Sequence, residues 1–320
     1  MERFQRPLII SVLIAIGLYF GALFLGDFEA TKDSILAIPF SAWVIILGLS
    51  LVNYVLRYVR WQWYILGLSG IKIPHKLHFA YYLSGFALST TPGKAGETIR
   101  SVYLKRHGIS FNQSISAFFV ERFLDLLTIV VLSVMAAYFF EEYQAFVIVT
   151  LIIIFALLPM IHSQFLLLKA EGVSAKIGGR IGGVLLQLVK LLESSAMLMK
   201  NRLLYGGFII GLIAWGAEGV GFWYTLHLMG QDVGLMMAVS VYGIAVLVGA
   251  LSFLPGGLGS TELVMGFLLV ALGVDKPTAV AATLICRIAT LWFAVFIGLG
   301  VAALLTAKGH QLSLKNEEVE

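Results

Sequence analysis

The chain has 320 residues, 59% of them hydrophobic and only 12% charged, with a mean hydropathy of +0.93. A water-soluble domain carries nearer a quarter charged residues, so this composition excludes a soluble globular protein and marks an integral membrane protein. The formal net charge of +4 is no nucleic-acid signal, because the basic residues distribute over a membrane map, and the single Cys286 excludes an intramolecular disulfide.

At about 20 apolar residues per crossing, the chain divides into a series of apolar segments. Residues 7–25 come after Arg3 and Arg6, are longer than a signal-peptide core and precede no small-residue cleavage site, so they read as a retained first span. A second span covers 40–58. Residues 77–106 are apolar but broken near the middle by Pro92-Gly93. Spans at 114–139 and 145–161 come next. Residues 174–200 repeat Ile177, Ile181, Val184, Leu188 and Leu191 at steps of three and four, opposite Lys176, Arg180, Gln187 and Lys190, which suits a basic amphipathic helix on the inner leaflet. An ordinary loop helix competes with it, since Gly178, Gly179, Gly182 and Gly183 weaken the pattern. A span at 203–228, a second broken stretch at 236–273 interrupted by Pro255-Gly256, a span at 278–305 and a tail at 306–320 complete the chain.

Arg3, Arg6, Arg57, Arg60, Lys72, Lys76, Lys105, Arg106, Lys169, Lys176, Arg180, Lys190, Lys200, Arg202, Lys308 and Lys315 fall in loops that alternate to one side. The other side receives Lys32 and Lys276 among acidic residues. The positive-inside rule then places both termini in the cytoplasm, provided each broken stretch enters and leaves on one face. The expected fold is an all-α polytopic membrane protein, a single domain with about six full spans and two oppositely oriented re-entrant broken hairpins.

The two broken stretches resemble each other. FALSTTPGKAGETI and ALSFLPGGLGSTELV share Leu-Ser, two residues, then Pro-Gly-x-x-Gly. Pro92, Gly93 and Gly96 match Pro255, Gly256 and Gly259 at an offset of 163 (255 − 92). After a two-residue insertion, Glu97, Gly108 and Arg122 match Glu262, Gly273 and Arg287 at 165 (287 − 122). Repeat cores are expected at about 77–140 and 236–305. Inverted repeats with discontinuous helices are the sequence pointer to a transporter's binding site. A helix break frees backbone groups that cannot face lipid, so it lines protein or a wet cavity. A half-helix beginning after each break turns its positive dipole end and free N–H groups inward, and two such ends would form an anion site.

Charged residues within apolar segments are costly and usually functional. Here they are Lys94, Glu97, Arg100, Glu121, Arg122, Asp125, Glu218, Glu262 and Arg287. Arg122 and Asp125 stand three apart and share a helix face; a structural salt bridge is the competing reading. Glu97 and Glu262 sit where a first-turn carboxylate caps its own half-helix, a role compatible with handling substrate or protons. Lys94 and Arg100 are read either as phosphate-binding residues of a vestibule or as inside-positive charges at its mouth. Glu121 points away from Arg122 toward another helix. Glu218, between Gly216, Gly219 and Gly221, is a candidate proton carrier in a closely packed helix. His75, His78 and His107 read as solvated residues near the inner interface, and Trp61 and Trp63 as interface anchors. No metal-ligand spacing, phosphate loop or nucleophile motif is present, so neither an enzyme nor a bound cofactor is expected.

LSTTPGKAGETIRSVYL, VERFLDLL, FLPGGLGSTE and CRIATLWF together make the chain resemble, from about residue 8 to 305, the flippase-like family related to the membrane region of lysylphosphatidylglycerol synthases. The resemblance implies lipid translocation in a prokaryotic cell (inner) membrane, with anionic, aminoacylated or polyprenyl-phosphate-linked lipids as substrates. It places Pro92, Gly93, Gly96, Glu97, Glu121, Arg122, Asp125, Pro255, Gly256, Gly259, Glu262 and Arg287 at the functional core. The short tail TAKGHQLSLKNEEVE departs from the synthases' catalytic domain, so lysyl transfer is not expected. The leading expectation is a secondary flippase holding a phosphate between the two breaks, contacted by Arg122 and Arg287, with Glu97, Glu121, Asp125, Glu218 or Glu262 changing protonation. A small-anion transporter and a membrane partner of a glycosyl- or aminoacyl-transferase are the alternatives.

Overall fold

The computed structural model describes residues 28–139 and 201–309, with isolated positions between the two blocks. The expected span at 7–25 lies outside the described residues; so, apart from isolated positions, do those at 145–161 and 174–200, and residues 310–320 of the tail. Numbered along the described residues, the helices are α1 (Phe28–Leu36), α2 (Phe40–Ser69), α3 (His75–Gly85), α4 (Arg100–Lys105), α5 (Phe111–Phe139), α6 (Asn201–Leu228), α7 (Leu235–Leu251), α8 (Ser260–Ala271), α9 (Lys276–Arg287) and α10 (Phe293–Ala307).

Among the described residues, three continuous helices are long and apolar enough to cross a bilayer: Phe40–Ser69, Leu203–Leu228 and Lys276–Ala307. α5, at 29 residues, matches them in length but carries Glu121, Arg122 and Asp125 in its middle. The second span is longer than its sequence suggests. It continues eleven residues past Tyr58, until Gly70 adopts a left-handed conformation and its N–H closes on the Leu66 carbonyl at 2.9 Å. Arg57 and Arg60 therefore do not lie in a cytoplasmic loop, as the basic-residue map expects; they are interior helix positions, 3% and 0% exposed. α9 opens on Asp275, whose carboxylate accepts the Thr278 N–H at 3.0 Å, with Pro277 in the first turn. It passes into α10 through a π turn, Ile288–Trp292, where the Thr290 carbonyl accepts the Tyr54 hydroxyl at 2.7 Å. A widened turn of this kind commonly marks a functional position in a helix.

Both Pro-Gly motifs break their helices. After α3, short 3₁₀ turns at Phe86–Leu88 and Pro92–Ile99 carry the chain into α4. After α7, the break at Pro255–Gly257 leads into α8, which packs back against α7. The two breaks share a backbone course: Thr91 and Leu254 are extended, Pro comes next, and Gly93 and Gly256 are left-handed at φ 58° and 62°. The shared course continues downstream. At Gly108 (φ 81°) and Gly273 (φ 89°) the N–H groups bond Lys105 and Val270 carbonyls, and those of Ile109 and Val274 reach back to Leu104 and Leu269. These positions pair at the offset the sequence suggests.

The breaks meet in the interior. A Cβ added to Gly256 would lie 3.3 Å from the Thr90 Cα. α10 presses on the first break so closely that a Cβ on Gly298 would stand 2.2 Å from the Ala87 nitrogen. α2 packs along α6, and α5 along α7. One aromatic and aliphatic core, including Trp61, Tyr64, Tyr82, Phe86, Phe222 and Leu247, fills the space between them.

Candidate functional site

The site begins with α5. Glu121 and Asp125, one turn apart, share a face, and α2 presents Arg57 and Arg60 to that face. Arg60 donates to Asp125 at 2.5 Å, and Arg57 donates to Glu121 at 3.3 Å while standing 3.7 Å from Asp125. Arg100, just past the first break, also donates to Glu121. Arg122 lies 3.0 Å from Glu121, 2.9 Å from Asp125 and 3.9 Å from Glu97. Neutral groups complete the shell: the Tyr82 hydroxyl donates to Glu121 at 2.8 Å and the Trp215 indole N–H to Asp125 at 3.0 Å. Buried ions persist only when paired and hydrogen-bonded, and here four guanidiniums and three carboxylates hold one another. The outer surface is aromatic, with Arg100 stacked 3.6 Å from the centre of the Trp61 ring.

At the second break, Glu262 accepts the Gly259 N–H at 2.8 Å and the Arg287 Nε at 2.7 Å, while Arg287 also donates to the Gly256 carbonyl at 2.7 Å. Glu262 thus caps α8, as its position suggests. Glu97 behaves differently: it accepts the Ser89 hydroxyl at 2.8 Å from across the first break. Each break therefore has a Glu with an Arg from a later helix, tight in the second and loose in the first.

Between the breaks lies a cavity of about 260 Å³. Its polar wall includes Arg57, Lys94, Arg122, Asp125, Glu218 and Arg287. Apolar side chains make much of the rest. Phe253, 71% exposed, and Leu254 stand at its rim. Among the described residues, Lys94 makes no ion pair; its ammonium stands 5.5 Å from the centre of the Trp215 ring. Lys94 is also left-handed, φ 55°, where a side chain is strained, a cost that tends to be kept at functional positions. Glu218 accepts the Tyr242 hydroxyl and has no cation within ion-pair distance among the described residues. The glycine beside it, Gly219, lets α6 approach Val239 of α7.

Of the sequence-selected residues, Gly93, Lys94, Arg122, Asp125, Glu218, Gly256 and Arg287 line this one cavity. Glu97, Glu121 and Glu262 stand behind it as partners of its guanidiniums. Pro92, Gly96, Pro255 and Gly259 shape the two breaks. Arg57 and Arg60 are missed as site residues by the sequence reading, and Arg100 is no mouth charge but a sealed ion, 1% exposed. His78 and Trp61 are not interfacial: both are buried, and the Trp61 N–H donates to the His78 ring at 3.1 Å. The i,i+3 spacing of Arg57 and Arg60, set against Glu121 and Asp125 at i,i+4, is the signal that could have found them. No group of three metal-ligating side chains occurs among the described residues.

Apolar spanning helices, two interior helix breaks and a sealed charge cluster beside a cavity define a polytopic helical membrane protein with a central polar site. The chain belongs to the lysylphosphatidylglycerol synthase TM region family, whose model matches residues 8–298. It is 22% identical over 284 residues to a UPF0104 membrane protein of Pyrococcus horikoshii, covering 78% of this chain and 82% of the relative. Two UPF0104 membrane proteins of Methanothermobacter thermautotrophicus are 25% identical over 255 residues (71% and 74% of the two chains) and 23% identical over 340 residues (95% and 94%).

Proposed function

We propose that this protein is a secondary transporter, and not an enzyme, that moves an anionic or polyprenyl-phosphate-linked lipid between membrane leaflets. The observation that carries the reading is the cavity between the two Pro-Gly breaks, walled by Lys94, Arg57, Arg122 and Arg287 and otherwise largely apolar. A headgroup phosphate sits against the cationic wall, and its tails leave past Phe253 and Leu254 into the bilayer. Broken helices lining a cavity between repeats are the usual setting of a transport site. The matching backbone at Gly93 and Gly256, and at Gly108 and Gly273, supports reading the two halves as inverted repeats with re-entrant hairpins. In this scheme both termini are cytoplasmic in a prokaryotic inner membrane. The family's name ties its synthases to a phospholipid, which favours a lipid over a small soluble anion.

The test is reconstitution of the full chain into proteoliposomes with labelled anionic phospholipids. Flipping faster than in protein-free vesicles is expected, and Val246→Trp, which fills the cavity from α7, reduces it to background. Unaltered flipping in Val246→Trp would remove the cavity from the pathway. Absence of lipid flipping, with uptake of a soluble anion, would replace the lipid by that anion. Co-purification of a transferase with a chain inactive in both assays would favour the partner reading.

A further inference from the structure

We infer that the cavity selects a doubly charged terminal phosphate, a monoester or diphosphate, over a singly charged phosphodiester, and that Lys94 makes the selection. This rests on the proposed transport function and narrows its substrate. Charge balance is the reason. Around the first break, among the described residues, the cations are Arg57, Arg60, Arg100, Arg122 and Lys94, and the carboxylates paired with those guanidiniums are Glu97, Glu121 and Asp125. Arg287 and Glu262 neutralise each other. Glu218, held by a hydroxyl donor and, among the described residues, by no cation, leaves the surplus at two positive charges when it is protonated.

A surplus of this size beside a largely apolar cavity cannot be left to distant solvent, because an uncompensated charge away from water is costly. It draws an anion into the cavity. The cluster's donors agree. Among the described residues, the Nε atoms of Arg57 and Arg122, both residues of the cavity wall, are buried and make no hydrogen bond, so the three carboxylates leave part of the guanidinium charge unmatched. Lys94 is the one cavity-wall cation of the described residues not already held by a carboxylate. The second break has Gly257 at the matching position, also left-handed, at φ 65°. Lysine thus stands, strained, where glycine meets the backbone requirement freely. Its backbone gains nothing from lysine, so its ammonium accounts for it.

The Lys94→Gly variant separates charge from fold, since glycine suits the left-handed position. Proteoliposomes at pH 7.5 receive labelled phosphatidic acid, whose terminal phosphate is then close to doubly charged, or phosphatidylglycerol with the same tails. A preference of about tenfold or more for phosphatidic acid is expected. It is lost in Lys94→Gly, kept in Lys94→Arg and kept in Glu218→Gln, with thermal unfolding used to verify that each variant folds. Equal flipping of the two lipids, or a preference surviving Lys94→Gly, overturns the inference and leaves the flippase reading standing. If neither lipid moves but inorganic phosphate enters the same vesicles in a Lys94-dependent way and singly charged dimethyl phosphate does not, the charge selection holds and the lipid source falls. If neither lipid nor phosphate is transported, both readings fall.

Discussion

Arg60 of α2 donates to Asp125 of α5 at 2.5 Å, with the Arg60 side chain fully enclosed and that of Asp125 only 5% exposed. The two residues are far apart in sequence, so this pair fixes the register of two long helices as well as a charge. Removing one partner of such a pair strands the other. Arg60→Met is expected to cost about 3–5 kcal/mol, and Asp125→Asn at least as much, because Asp125 also holds Arg122 and Trp215. Denaturant unfolding in detergent micelles reads both.

Close approach of α10 to the first break predicts a sharp contrast between two glycines. Gly298→Ala would place a methyl group 2.2 Å from the Ala87 nitrogen, whereas Gly300→Ala meets nothing within 4 Å. The first is expected to destabilise by about 1–3 kcal/mol or more, and the second to stabilise by about 0.5–1 kcal/mol as a helix-interior replacement. Thermal unfolding of the two variants side by side tests this.

The two glutamates behind the breaks should differ in weight. Glu262→Gln removes both the charge facing Arg287 and the anionic cap of α8, and is expected to cost about 3–5 kcal/mol. Glu97→Gln leaves Arg122 still held by Glu121 and Asp125, so its cost is about 1–3 kcal/mol. Equal losses would show that the first pair is tighter than its 3.9 Å separation indicates.

On the proposed function, Glu218 is the candidate proton carrier, since the cavity wall reaches it and, among the described residues, the Tyr242 hydroxyl holds it with no cation at ion-pair distance. Its charged and titratable neighbours are Tyr242 of α7, Tyr54 and Arg57 of α2, Lys94, Asp125 of α5 and Cys286 of α9. Imposing a pH gradient across proteoliposomes is expected to accelerate flipping in the wild type. In Glu218→Gln that acceleration is expected to vanish while gradient-free flipping continues. A gradient response surviving in Glu218→Gln would move the proton to another carboxyl.

Much of the described architecture comes directly from sequence physics. Pro-Gly pairs inside apolar stretches can only break a helix, and Glu262, three residues past Gly259, can only fall in the first turn of the next helix. The Arg122–Asp125 pair is set by its three-residue spacing. What the sequence hides is burial that depends on distant partners. In YVLRYVRWQWY, arginines between aromatics look like an interface belt, because their carboxylates lie 64 and 65 residues away on another helix. Arg100 and His78 are misread for the same reason: Glu121 seals the one and Trp61 the other. The two long-range pairings turn a span that ends at residue 58 by its apolar composition into one that runs to Ser69.

The carboxylate of Glu262 also sets the direction of pull within the cavity. By occupying the first turn of α8 and neutralising Arg287, it leaves the wall around the second break electrically quiet. The wall around the first break keeps its cationic excess. Despite matched backbones, the chamber is therefore lopsided: one wall grips and the other lets go. In the proposed transport, cargo crossing it would descend toward the first break and climb away from it, and the depth of that single well, rather than the width of the passage, would set how long each molecule stays.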